Sequence, residues 1–211
     1  MVDFGKAFTY IFDDENWFDK LIVPVLVSLI PFIGQITLLG YVLRTVKNVA
    51  EGVAEPLPTF KFGEDLGRGF RYLLIGLVYA LPIIILGLLV FIPVRISETS
   101  SWVLPTILGI LLGGLGLAYA LLMFLFQPIM TANFAVKDTF ASAFEFKEFI
   151  RRFRNNITAW LLVLAGLIVA SFIAPLGGIF FFIGALITGA YTQFMVAHLQ
   201  GQAYAASEVK Q

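Results

Sequence analysis

Residues 139–174 read TFASAFEFKEFIRRFRNNITAWLLVLAGLIVASFIA, a charged amphipathic segment that runs straight into a wholly apolar one. In the first half Phe146, Phe149, Ile150 and Phe153 fall at helical spacing on one face, while Lys147, Glu148, Arg151, Arg152 and Arg154 lie elsewhere. A helix divided in this way lies on a membrane surface. The charges stop after Asn155 and Asn156, and residues 157–174 are long enough, at about 1.5 Å per residue, to cross most of a hydrocarbon core about 30 Å thick. The chain is expected to lie on a bilayer and then enter it.

Composition places the whole chain in the same class. Its 211 residues are 59% hydrophobic and only 13% charged, and mean hydropathy is +0.91, far from the balance of a soluble domain. A polytopic membrane protein follows. Fourteen basic and fourteen acidic residues cancel, so net charge names no partner and gives no case for nucleic acid. With no cysteine, disulfides, thiolate metal sites and thiol nucleophiles are excluded. The first eighteen residues, MVDFGKAFTYIFDDENWF, are acidic where a signal peptide needs a basic region, and read as mature sequence.

The amphipathic lead-in recurs. Asp3-Phe4-Gly5-Lys6-Ala7-Phe8, Lys61-Phe62-Gly63-Glu64-Asp65-Leu66 and Thr139-Phe140-Ala141-Ser142-Ala143-Phe144 share a pattern of aromatic, small and large apolar positions, and each precedes an apolar run. Leu29-Ile30-Pro31-Phe32-Ile33-Gly34 matches Ile173-Ala174-Pro175-Leu176-Gly177-Gly178 as a Pro-then-Gly break between apolar runs. Gly40-Tyr41, Ala118-Tyr119 and Ala190-Tyr191 occupy comparable places further on. The expected fold is therefore an all-α integral membrane protein with six transmembrane helices. These form three hairpins in pseudo-threefold repeat, each preceded by an amphipathic interfacial helix. The repeats occupy about 1–55, 56–136 and 137–206 of a single membrane domain, 1–211.

The first repeat is the weak one, because residues 21–43 number only 23 and also fit a single helix kinked at Pro31. Basic residues separate the two counts. Six crossings put 13 Lys and Arg residues on one side and Arg95 alone opposite, whereas five give 11 against 3. Both obey the positive-inside rule, and six obeys it better. The expected setting is a bacterial or archaeal inner membrane, multi-pass, with both termini cytoplasmic and a polar outer loop at 95–101.

The chemical inventory is thin. No ionisable residue falls deep in an expected span, so an ion-coupled relay has no members. His198 is the only histidine, near the inner end of the last span, and lacks cysteine or carboxylate neighbours in sequence; metal, cofactor and catalytic residues are all read as none. Gln35, Thr37, Gln127, Asn133, Thr188 and Gln193 are polar residues in or near the spans, suited to interhelical hydrogen bonds or, more sharply, to lining a polar path. Small residues four apart, Gly109 with Gly113, Gly116 with Ala120, Gly166 with Ala170 and Ala185 with Gly189, permit close helix approach, within the bundle or between copies. The cluster Lys147, Arg151, Arg152 and Arg154 fits topology and anchoring, or a contact with anionic lipid headgroups or a protein partner.

Gly40-Tyr41-Val42-Leu43-Arg44, then Gly52, Pro56-Leu57-Pro58-Thr59-Phe60, Gly69 and Tyr79-Ala80-Leu81-Pro82 resemble a family of prokaryotic polytopic membrane proteins classed as a domain of unknown function. Its members often carry tryptophan where Phe60 stands. The resemblance implies an integral membrane domain over nearly the whole chain and transfers no catalytic residue. Together these features lead to a non-enzymatic membrane scaffold or binding module with a basic cytoplasmic face. The alternative is a passive channel or the membrane subunit of a transporter for small or lipid-like solutes. An intramembrane enzyme would need convergent acid, base or metal ligands that the sequence does not offer.

Overall fold

The computed structural model describes residues 2–96 and 103–208, so most of the expected outer loop lies outside the described residues. Every regular element is helical, and among the described residues there is no strand. In order they are α1 (Lys6–Thr9) with a 3-10 turn (Tyr10–Asp13), α2 (Trp17–Val27), α3 (Ile33–Ala50), α4 (Phe62–Ile96), α5 (Val103–Lys137), a 3-10 turn (Phe140–Phe144), α6 (Phe146–Asn155), α7 (Ile157–Ile173), a 3-10 segment (Ala174–Phe180) and α8 (Phe181–Ala206). Three stretches, Phe62–Leu89, Thr106–Lys137 and Ile157–Ile179, are long and apolar enough to cross a membrane, and mark the chain as a membrane protein.

Pro31 does not sit inside one kinked helix. α2 and α3 are separate and pack on each other across a turn in which Phe32 takes φ 62°. Gly34 makes the return possible, since a Cβ there would lie 2.0 Å from the Val27 carbonyl oxygen. The Pro175-Gly177 break works alike: a Cβ on Gly177 would meet the Gly184 carbonyl oxygen at 2.1 Å, and α7 packs back on α8. At about 1.5 Å per residue, however, the 11 residues of α2 reach about 16 Å, well short of the hydrocarbon thickness.

The second lead-in also differs from expectation. Residues 62–69, with three glycines and a low helix propensity, form no separate surface helix but the first turns of α4. Tertiary contact overrides propensity here. Gly40 of α3 and Gly69 of α4 meet backbone to backbone, and a Cβ on either would stand 1.8 Å from a carbonyl oxygen of the other helix, that of Asp65 or Ile36.

The chain divides into two compact units, one joining the residues up to Leu73 with those from Pro128 onward, the other spanning Leu74–Gln127. In the larger unit α3 and α8 form the centre, with Tyr41, Leu43, Val46, Phe194, Met195 and Leu199 sealed from solvent. Gly201 sits against Val46 and Val49 of α3, where a Cβ would find 2.7 Å and 2.6 Å. In the smaller unit the Tyr119 hydroxyl donates to the Tyr79 carbonyl at 2.7 Å. Among the described residues its helix faces are largely apolar and open. Only 6% of the apolar window of α4 and none of that of α5 is buried, and Gly76, Gly109, Gly113 and Gly116 have nothing within 4 Å of a built Cβ. Such a surface suits hydrocarbon rather than water.

Candidate functional site

The block of sequence that is easiest to recognise turns out to be a joint. Tyr41 Oη lies 2.8 Å from the Lys20 carbonyl and 2.9 Å from the Pro58 carbonyl, tying α2 and the α3–α4 loop to α3. Arg44, 9% exposed, donates through Nη1 to Asp65 Oδ1 at 2.9 Å and through Nη2 to the Thr59 carbonyl at 2.7 Å. Asp65 Oδ2 accepts the Lys61 N–H at 2.8 Å, so one carboxylate both caps α4 and holds the α3 arginine. Asn48 adds a bond to the Pro56 carbonyl at 2.9 Å. Arg44, expected at the inner flank, is therefore an internal strut.

The residues of the basic cluster part company. On α6 Phe149 and Arg152 turn inward, Phe146 and Ile150 are exposed, and Lys147, Arg151 and Arg154 form an exposed stripe beside those two. At 100° per residue these are three adjoining faces of one short helix. Arg152, 4% exposed, donates to Glu148 at 2.7 Å and to the Tyr204 carbonyl at 3.0 Å, with its guanidinium carbon 3.6 Å from the Tyr204 ring centroid. Burial works to raise the Glu148 carboxyl, but the hydrogen bond from Arg151 and the charges of Arg152 and Arg151 outweigh it and hold the pKa below the ordinary value. Three cations remain on the outward stripe, with Arg151 paired to Glu148 at 2.6 Å.

Of the intramembrane polar residues, Asn133 is fully buried and fully used. Its amide donates to the Ser142 carbonyl at 2.8 Å and to Glu145 at 3.0 Å, and its oxygen accepts from the Tyr204 hydroxyl at 3.3 Å. Gln35 donates across the first turn to the Ser28 carbonyl at 2.7 Å, and Gln193 lies 3.4 Å from the Gly189 carbonyl on its own helix. Gln127 lines an open, mainly apolar groove of about 520 Å³ in the smaller unit, with Tyr79, Tyr119 and Met123. Gln35, Asn133 and Gln193 thus each serve a separate local contact.

A second polar locus was hidden in the sequence. The Tyr10 ring stacks on His198 at 4.2 Å between centroids, and the Tyr10 hydroxyl, its pKa raised well above the ordinary value chiefly by burial, donates to the Phe194 carbonyl at 3.0 Å. His198 Nδ1 is 2.7 Å from Gln202, which clasps the Asp3 backbone by both ends of its amide. Beside them opens a cavity of about 310 Å³ between the N-terminal segment, the end of α8 and the α3–α4 loop. Asp3, Lys6, Asp13, Asp14 and Glu55 carry its charge. Lys6 pairs with Asp13, and Lys20 bridges Asp14 at 2.6 Å and Glu55 at 3.1 Å. Burial works to lower the Lys20 ammonium, yet the two carboxylates hold its pKa above the ordinary value. His198, without a carboxylate neighbour in sequence, thus gains Asp3 and Asp13 as neighbours around one cavity. The only local hint was the density of aspartates in the first fourteen residues.

Residues 23–197 match the family described as a protein of unknown function, DUF4013. The chain belongs to DUF4013. No curated protein and no solved structure matches it. The DUF4013 match takes in the α3 and α4 residues of the joint with the loop between them and all of α6, whereas Asp3, Lys6, Tyr10, Asp13, Asp14, His198 and Gln202 of the cavity fall outside it.

Proposed function

We propose that this DUF4013 protein is a non-enzymatic membrane module of a prokaryotic inner membrane. It sets six helices in three hairpins into the bilayer and offers a basic cytoplasmic face to anionic lipid headgroups, with both termini on that side. The observation that carries this reading is the division of α6. An exposed apolar edge, Phe146 and Ile150, adjoins an exposed basic stripe, Lys147, Arg151 and Arg154, which is the order a helix needs at a headgroup boundary. In this reading the first hairpin enters tip first and stops short. Its exposed tip is apolar, with Phe32 84% exposed beside Leu29, Ile30 and Ile33. Most of the turn's backbone donors are used: the N–H groups of Ser28, Leu29, Ile30, Ile33 and Gly34 all bond to carbonyls, and Gln35 takes the Ser28 carbonyl. A passive channel draws little support, because Gln35, Asn133 and Gln193 direct their amides at nearby protein groups.

The test replaces Lys147, Arg151 and Arg154 together by alanine, leaving buried Arg152 in place, and measures the anionic phospholipid retained by the purified protein with native mass spectrometry. At about 1 kcal/mol per basic residue, retention should fall by an order of magnitude or more. Reporter fusions at the tail should still read cytoplasmic. Unchanged lipid retention would sink the lipid-contact reading.

A further inference from the structure

We propose that the cavity beside His198 binds a small organic ammonium ion with an oxygen acceptor a few bonds from its nitrogen, the chemistry of an amino alcohol. This is independent of the lipid-facing reading of α6. At about 310 Å³ the cavity lies at the low end of the range for small-molecule sites. Asp3, Asp13, Asp14 and Glu55 line it, against Lys6 and the bridging Lys20, so its carboxylates outnumber its ammonium groups by two. Asp3 has no cationic partner among the described residues. Val49, Val53 and Pro56 supply an apolar wall for methylene groups.

His198 supplies the second requirement. Gln202 Oε1 accepts the Asp3 N–H at 2.6 Å, which fixes the other end of that amide as nitrogen; it reaches the Asp3 carbonyl at 3.1 Å and His198 Nδ1 at 2.7 Å. Nδ1 therefore accepts, and the ring proton sits on Nε2. The ring is 7% exposed, lines the cavity, and has no partner on Nε2 among the described residues. A ring that lines an acidic cavity and keeps its Nε2 proton uncommitted favours a ligand that is cationic and also accepts a hydrogen bond. A simple alkylamine meets only the first demand. The same chemistry occurs in a free amino alcohol and in the ethanolamine headgroup of a phospholipid, and the site lies among the elements that lead into the bilayer.

The test uses the full chain, delipidated and placed in nanodiscs of phosphatidylcholine and phosphatidylglycerol, with ethanolamine as probe and ligand-observed NMR as readout. Ethanolamine should bind with a dissociation constant of about 1 mM, and ethylamine and ethylene glycol should bind at least about fivefold more weakly. Asp3→Asn with Glu55→Gln, both at exposed positions, should weaken ethanolamine at least about fivefold. His198→Phe, which keeps the aromatic stack on Tyr10, should bring ethanolamine down to the level of ethylamine and leave ethylamine unchanged. In discs containing phosphatidylethanolamine, loss of free-probe binding assigns the site to the headgroup, and unchanged binding assigns it to the soluble amine. No ethanolamine binding up to about 20 mM, equal binding of ethylamine, or indifference to the carboxylate variants would overturn the proposal.

Discussion

Replacing Gly40 by alanine should be among the most damaging one-carbon changes available to this protein. The added Cβ would lie 1.8 Å from the Asp65 carbonyl oxygen, 2.7 Å from its carbon and 2.8 Å from the Gly69 nitrogen, all backbone atoms of α4 that no rotamer change can move. Restoring an ordinary contact near 3.4 Å needs α3 and α4 to part by roughly 1.5 Å, and a gap of even 0.5 to 1 Å forfeits a quarter to a half of the dispersion attraction along the crossing. The same movement stretches the 2.9 Å Arg44–Asp65 bond and unseats a buried ion pair. Overpacking alone costs about 1 to 3 kcal/mol, so a loss of about 3 kcal/mol or more is expected. Denaturant titration in mixed micelles would measure it, with Gly109→Ala as control because that glycine has nothing within 4 Å. Gly69→Ala should cost a similar amount. The double variant should cost clearly less than the two together, since one separation relieves both clashes. If Gly40→Ala unfolds at the midpoint of Gly109→Ala, the close crossing inferred from these glycines is wrong.

Two further outcomes are expected on α6. Arg152→Ala removes the cation held between Glu148 and the Tyr204 ring and should destabilise by about 3 kcal/mol, read in the same titration; Arg154→Ala, at an exposed position, should stay within about 0.5 kcal/mol. Acid should release the helix as well. Glu148 and Glu145 are held below their ordinary value of 4.5 in the folded state, so their stabilisation is complete above that pH and is lost as the pH falls through the depressed folded values. Fluorescence of Trp160, whose indole donates to the Arg152 carbonyl, should shift only below pH 4.5 in a variant with Trp17 and Trp102 replaced by Phe. A midpoint at higher pH, or one that Glu148→Gln leaves untouched, would refute that assignment.

What the sequence made legible was local, and what it hid was distant. The end of α6 could be read because charge stops at Asn155 and Asn156, and Asn156 does cap α7, accepting the Ala159 N–H at 3.0 Å. The turns at Pro31–Gly34 and Pro175–Gly177 could be read because Pro and Gly are local signals. The inward turn of Arg152 could not, because its partner Tyr204 lies 52 positions away, and helical periodicity says nothing about such a partner. By charge alone Arg152 is indistinguishable from Arg151 and Arg154. The cavity was less visible still, since the clasp that forms it joins Asp3 to Gln202, 199 positions apart.

The three tyrosines show how far a local rule reaches. Tyr41, Tyr119 and Tyr191 each direct the hydroxyl to a main-chain carbonyl on another helix, as a phenol in an apolar setting must find an acceptor. Tyr41 finds Lys20 and Tyr119 finds Tyr79, each in the preceding helix. Tyr191 departs from them: it donates at 2.8 Å to the Phe8 carbonyl of α1 and not to α7. That change of partner adds a tie between the N-terminal segment and α8, beside those in which Tyr10 stacks on His198 and donates to the Phe194 carbonyl and Asp3 meets Gln202. A Tyr191 bond to α7 in its place would leave the wall that carries Asp3, Lys6 and Asp13 along the cavity held to α8 through Tyr10 and Asp3, with one tie fewer.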